Sequence, residues 1–272
     1  VGAGAAYSLS LAVSVQNHRA QGCSWPNEAE GVRWVSEKWL WRWVGAIGLA
    51  LIIFPGIDLF TSRQFYLSDI TDRSANFVLA SVPAAIFGHE VVMRSFQALA
   101  LILVLGLLYS AIRLRPLLGL GAMKWLFLAL ALAVGPGLVA NVWFKETWDR
   151  ARPFQIEEFG GPLEFTPPLV LSNQCHHNCS FVSGDAAAGF FLHSFAYVAR
   201  RRQRALFYGG LGVGLLVGLM RIAQGAHFLS DVLYAGAFMV ATTAAIHALL
   251  YGRAATTAWW RCHILRAPAT NP

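Results

Sequence analysis

Three short stretches put ionisable residues at points that read as helix ends in an otherwise apolar chain. They are KETWDRARP (145–153), CHHNCSFVSGDAAAGFF (175–191) and RIAQGAHFLSD (221–231). Lys145 and Arg152 lie seven residues apart, nearly two helical turns, so a helix would point both cations the same way before Pro153 ended it. Taken alone, the pair also fits two cations reaching for water at the end of a membrane span. Ser183 and Asp185 are ordinary residues for a helix start, and Gly184 suits a tight turn. The same start presents unpaired amides and the positive end of a helix dipole, which together make an anion site. His227 and Asp231 are one helical turn apart, so the carboxylate is expected to reach the imidazole, fix its tautomer and leave the other ring nitrogen free. With Arg221 they form an Arg, a His and an Asp within eleven apolar residues, and ionisable groups in such a setting carry a functional hypothesis by default.

If the three stretches meet, Lys145, Arg152 and Arg221 supply three cations, Ser183 and Gly184 supply helix-end donors, and His227 with Asp231 supplies a held imidazole. Cations and amides match the equatorial oxygens of a phosphoryl group. A neutral imidazole can attack phosphorus. The sequence has no carboxylate cluster of the kind that holds Mg²⁺, so the expected chemistry uses no metal and no cofactor.

The elements that would position these residues are membrane helices. Only 13% of the 272 residues are charged and 56% are hydrophobic, with ten Trp; mean hydropathy is +0.51. A soluble domain carries about 25% charged residues. The sequence therefore reads as an all-α integral membrane protein. Six apolar runs approach the length that crosses a bilayer: Trp39–Phe60, Ser95–Ile112, Met123–Phe144, Ser180–Ala199, Ala205–Ile222 and Phe228–Tyr251. The piece Asn76–Gly88 is short and holds Pro83, and is expected to be an interfacial helix. Residues 1–36 read as a poorly specified tail without the basic lead of a signal peptide, 37–253 as the six-span domain, and 254–272 as a cytoplasmic tail.

Positive residues gather before the first run, between the second and third (Arg113, Arg115, Lys124), between the fourth and fifth (Arg200, Arg201, Arg202, Arg204) and after the sixth. In a six-span chain these clusters share one face, which the positive-inside rule makes cytoplasmic. The net charge of +7 then reflects loops at a membrane, and the RRRQR run needs no nucleic-acid partner. All three chemical stretches fall on the opposite face. Cys175 and Cys179 lie there too, where an oxidising compartment permits a disulfide, whereas Cys23 and Cys262 are expected inside as free thiols. Four zinc ligands within the five residues of CHHNC would not easily surround one ion, so a short disulfide loop is the preferred reading. Gly210, Gly214 and Gly218, four apart, read as a close helix-packing stripe.

The three stretches resemble the motifs of the type 2 phosphatidic acid phosphatases, a membrane branch of the superfamily that includes the vanadium haloperoxidases. The family's first motif, Lys, six residues, Arg-Pro, is complete from Lys145 to Pro153. Its third, Arg, five residues, His, three residues, Asp, is complete from Arg221 to Asp231, with Met220 where a Ser usually precedes. Its second, Pro-Ser-Gly-His, is here VSGD (182–185). The resemblance covers about residues 40–250. CSFVSGDA and GIDLFTSRQFY (56–66) look most like bacterial lipid phosphatases such as the lipid A 1-phosphatase branch.

The resemblance implies a six-helix core of the phosphatidic acid phosphatase/haloperoxidase type. It also implies a phosphohistidine on His227 oriented by Asp231, phosphate held by Lys145, Arg152, Arg221, Ser183 and Gly184, and Asp185 where the family's proton-donating His stands. An Asp is a weaker proton donor at neutral pH than that His, and suits a better leaving group. The expected substrate is therefore lipid A 1-phosphate or a polyprenyl diphosphate in the bacterial inner membrane, met at the periplasmic face. A lipid phosphotransferase with the same intermediate, and a non-catalytic membrane protein with a degenerate site, are the alternatives.

Overall fold

The computed structural model describes residues 37–70, 75–260 and 263–264; the 1–36 tail, Cys23 and Cys262 lie outside them. Among the described residues nine helices carry the fold: α1 Glu37–Ile53, α2 Gly56–Arg63, α3 Pro83–Arg113, α4 Ala122–Thr147, α5 Gly184–Phe191, α6 Phe195–Val198, α7 Gln203–Ala223, α8 Leu229–Tyr251 and α9 Arg253–Trp260. Short 3₁₀ turns and isolated β-bridges accompany them.

At the centre is the short helix α5. All eight of its residues are buried, because GDAAAGFF is small enough for neighbours to approach its backbone closely. The glycine stripe of α7 makes that approach. A Cβ on Gly214 would strike the Phe190 ring of α5, one on Gly210 the backbone at Leu192–His193, and one on Gly218 the Val232 side chain of α8. The stripe is helix packing, as its spacing suggests.

The expected count of six uniform spans is not what forms. Among the described residues four helices, α3, α4, α7 and α8, are long and apolar enough to cross a membrane, and five if the bent pair α1–α2 is counted as one span. The run Trp39–Phe60 breaks at Phe54–Pro55 and turns by 85°. Proline cannot donate to the helical ladder, and the turn carries Asp58 into a buried position. The run Ser180–Ala199 begins as loop, forms α5, tightens into a 3₁₀ turn at Leu192–Ser194 and ends with α6. Its residues face protein rather than lipid, so their pattern follows packing and not span length. It still runs from the end shared by the C-termini of α4 and α7 to the opposite end, where α7 begins.

Asn76–Gly88 corrects another expectation. Pro83 does not mark an interfacial helix; it occupies the first turn of the 31-residue α3, where a proline's missing N–H costs nothing. The segment after 253 is also more than a tail. Its described part contains α9, with Trp259 and Trp260 buried and the Trp259 ring stacked on Tyr197 at 3.8 Å between centroids.

Helix α4 changes character midway, with a π-helical stretch over Ala133–Phe144. Pro136 removes a ladder donor there, and the carbonyl of Pro136 accepts from Asn141 Nδ2 at 2.7 Å. The wider turn leaves an apolar groove of about 390 Å³ between α3 and α4. Outside, α3 offers Leu101, Ile102, Leu105 and Ile112 at more than half exposure, a surface that suits lipid. The stripe generates a prediction. Gly214→Leu drives a branched side chain into Phe190 and should cost about 1–3 kcal/mol, read as a lower unfolding temperature in detergent; Gly212→Leu, which meets open space, should not.

Candidate active site

The stretch after α4 turns inward at Arg150, which is fully buried. Its guanidinium is held on every edge. Nε donates to the Thr166 carbonyl at 2.8 Å. Nη1 donates to Asp231 Oδ1 at 2.6 Å and to Ser230 Oγ at 2.9 Å, and Nη2 donates to Asp58 Oδ2 at 2.8 Å. One ring covers its face, Phe228 at 4.3 Å from the guanidinium carbon to the centroid, with Phe165 at 5.5 Å. One side chain thus joins α2, the loop after α4 and the start of α8. The five donors of a planar fork suit such a junction, and a lysine could not span it.

Asp231 is correspondingly occupied. Besides Arg150, it accepts the Ser180 hydroxyl at 2.5 Å and the Phe228 amide at 2.8 Å through Oδ2, capping α8. It does not hydrogen-bond His227 as the spacing predicts: Oδ2 stands 3.7 Å from Nδ1. The Nδ1 nitrogen is instead 2.8 Å from the Ser180 carbonyl, which can only accept, so Nδ1 carries the proton. Asp231 acts through Ser180, positioning the residue whose carbonyl fixes the tautomer. That leaves Nε2 as the lone-pair nitrogen, buried and without a partner among the described residues. Burial is the main cause that pushes His227 down to about 4, with the charges of Arg152 and Arg221 adding to it against the pull of Asp231. The ring is therefore neutral at physiological pH.

Two of the three cations act on this ring, and Lys145 stands beside them. Arg152 and Arg221 both act electrostatically on His227, and burial with the nearby Arg221 charge lowers the pKa of Arg152 from its ordinary value. Lys145 Nζ donates to Asn178 Oδ1 at 3.1 Å, and Arg152 donates from Nε and Nη2 to the Asn178 carbonyl at 3.1 and 2.8 Å. Asn178 belongs to the loop closed by the Cys175–Cys179 disulfide and has φ +51°, a left-handed conformation in which Asn is enriched. Its two oxygens sit where phosphate oxygens could replace them. His176 and His177 point to solvent, and among the described residues no group of three metal-type ligands forms.

Ser183 caps α5 by accepting the Ala186 amide at 3.3 Å, which leaves the first-turn amides of Gly184 and Asp185 as helix-start donors. Gly184 is required by contact, since a Cβ there would overlap Asn141 Oδ1 of α4. Asp185 Oδ2 pairs with Arg221 Nε at 2.8 Å, and Arg221 Nη1 donates to Gln224 at 2.5 Å. The α3–α4 groove opens onto this corner, with Lys145, Gly184 and Asp185 in its lining.

Residues 123–255, which contain all three motifs, match the PAP2 superfamily. The lipid A 4′-phosphatase of Rhizobium leguminosarum is 32% identical over 220 residues, 78% of this chain and 93% of that protein. The chain belongs to the PAP2 superfamily. The lipid A 4′-phosphatase of Rhizobium etli is 33% identical over 210 residues, 71% of this chain and 78% of that relative. That of Francisella tularensis subsp. novicida is 46% identical over 127 residues, 46% of this chain and 57% of that relative. No solved structure matches.

All the motif residues of this superfamily member reach one end of the bundle, from α4, the loop after it, the loop before α5, and the ends of α7 and α8. Sequence reasoning missed Arg150, Asp58, Ser180, Ser230 and Asn178. A signal existed for two of them. Arg150 is a second arginine inside KETWDRARP, and Asp58 is a carboxylate inside an apolar run, a position that is costly unless paired. Ser180, Ser230 and Asn178 are unremarkable in type, and only their contacts distinguish them.

Two predictions follow from the geometry. Arg150→Met leaves Asp58 and Asp231 buried without their counter-charge and should cost about 3–5 kcal/mol, read as loss of folded protein in detergent, whereas Asp149→Asn should have little effect. Because His227 must be neutral to attack and is protonated only below about 4, the acid limb of kcat/KM should fall near pH 4 and not near the ordinary histidine value of about 6.5.

Proposed function

We propose that this chain removes the 4′-phosphate of lipid A by transferring it to His227 Nε2 and then to water, at the external face of a bacterial inner membrane. The chain is a phosphatase of the PAP2 superfamily that hydrolyses a lipid phosphomonoester, a reading carried by the family match and by relatives named lipid A 4′-phosphatases. The observation that supports the mechanism is the state of His227: Nδ1 is engaged, Nε2 is free, the ring is neutral, and cations face it.

In this mechanism Lys145, Arg152 and Arg221 hold the phosphoryl oxygens, displacing Asn178, and the amides at Gly184 and Asp185 add the helix-end field. Nε2 attacks phosphorus, the P–O bond to the lipid breaks, and water later breaks the P–N bond. The apolar groove between α3 and α4, continuous with the phosphate corner, receives an acyl chain while the head group stays at the mouth. Arg113, Arg115, Lys124, Arg200, Arg201, Arg202 and Arg204 lie toward the other end of the bundle, and by the positive-inside rule this supports a site on the external face. The relatives' names favour the 4′ position over the 1-phosphate and the polyprenyl diphosphate expected from the Asp185 replacement. A 4′ ester is an ordinary sugar ester with a poor leaving group, so it asks for a proton donor.

The experiment offers bis-phosphorylated lipid A in mixed micelles with chelator present. The wild type should release phosphate without a divalent ion, and mass spectrometry of the product should place the loss at the 4′ position. His227→Ala should lose on the order of 10³-fold or more and form no acid-labile phosphoenzyme. Loss from the 1-position, or a requirement for a divalent ion, would count against the proposal.

A further inference from the structure

The 4′ reading leaves a gap: the motif position that donates the proton in this family holds Asp185, and its Oδ2 is already engaged by Arg221 at 2.8 Å. A carboxylate in that ion pair has no proton to give. A second histidine stands beside it. His89, in the second turn of α3, lies outside residues 123–255, the part matched to the superfamily. Its Nδ1 is 3.7 Å from Asp185 Oδ2, too far for a hydrogen bond, and is buried with no partner among the described residues. The side chain as a whole remains 30% exposed, as a group that meets substrate at a mouth must be.

The position of α3 makes the contact purposeful. Gly88 lies against the end of α7, where an added Cβ would be 3.9 Å from Met220 Sδ, next to Arg221. Below His89, at helical spacings of four, eight, eleven and fifteen, α3 presents Met93, Gln97, Ala100 and Val104 to the apolar groove. The oxygen that joins phosphorus to lipid must lie between the phosphate cations and this groove, and His89 is at that junction. The charged groups that face His89 are Asp185 from α5, Arg221 from α7, Lys145 from α4 and Glu90 on its own helix.

We infer that His89 is the proton donor to the leaving alcohol, with Asp185 as the neighbouring carboxylate whose charge favours its protonated form. The inference rests on the phosphatase reading above. As Nε2 of His227 bonds to phosphorus, the P–O electron pair moves to the leaving oxygen, and that oxygen takes the proton of His89 Nε2, the ring nitrogen other than the one that faces Asp185. The lipid alcohol departs and His89 is left neutral. In the second step the attacking water gives a proton to His89 Nε2 as its oxygen displaces His227 from phosphorus, which restores both histidines and releases phosphate. A donor from α3 thus does the work that the family gives to its second motif.

The test compares two esters with the same long chain in mixed micelles, an alkyl phosphate and a nitrophenyl phosphate whose phenolate leaves without a proton. His89→Gln should slow the alkyl ester about 10²-fold and the aryl ester by less than about threefold, and turnover of the aryl ester is itself the check that the variant is folded. Alkyl turnover within about threefold of wild type would overturn the assignment. So would equal losses on both esters, repeated in His89→Asn, since these mark a structural role. A wild type that releases phosphate from neither ester nor from lipid A would instead defeat the phosphatase reading, and the inference with it.

Discussion

The structure depends on one buried cation. Arg150 is enclosed by two carboxylates, a hydroxyl, a carbonyl and an aromatic face. A charge taken out of water is tolerable only if nearly every donor is used and the counter-charges are close, and here those demands fix the relative positions of α2, the loop after α4, and α8. The bend of the first apolar run, the cap of α8 and the place of Ser180 all follow from it. Through Ser180 the constraint reaches the imidazole of His227, whose tautomer is set by a carbonyl and not directly by Asp231.

Around that fixed base the site is arranged as two layers of charge. The inner layer, Asp58, Arg150 and Asp231, is closed and satisfied. The outer layer, Lys145, Arg152 and Arg221, is only partly satisfied by neutral oxygens of Asn178 and by Asp185 and Gln224. A dianion can replace the neutral oxygens at a net electrostatic gain. The disulfide loop therefore has a specific place: it holds one residue whose amide and main-chain oxygens keep two cations together. This is why CHHNC precedes the VSGD turn, with its cysteines paired to each other and its histidines in solvent.

The bilayer accounts for the rest. Long helices with exposed apolar faces stand outside, and a short helix of small residues stands inside, reached by glycines of α7. The π-helical stretch of α4 opens a groove toward α3 at the level of the phosphate corner. A charged corner and an apolar groove thus adjoin, and α3 borders both.

The sequence by itself determined the membrane class, the three motif stretches and the glycine stripe, because each is written in residue type at fixed spacing along one segment. Spacing also predicted a direct His227–Asp231 bond, which fails because residues remote in the chain compete for the carboxylate. Arg150 and Ser180 claim Asp231, and Arg150 claims Asp58. Only the tertiary structure decided those claims, brought Asn178 to two cations from different segments and placed His89 against Asp185. Pairing across α2, α3 and the loops costs chain entropy and returns energy only after folding, so it leaves no periodic trace in the sequence.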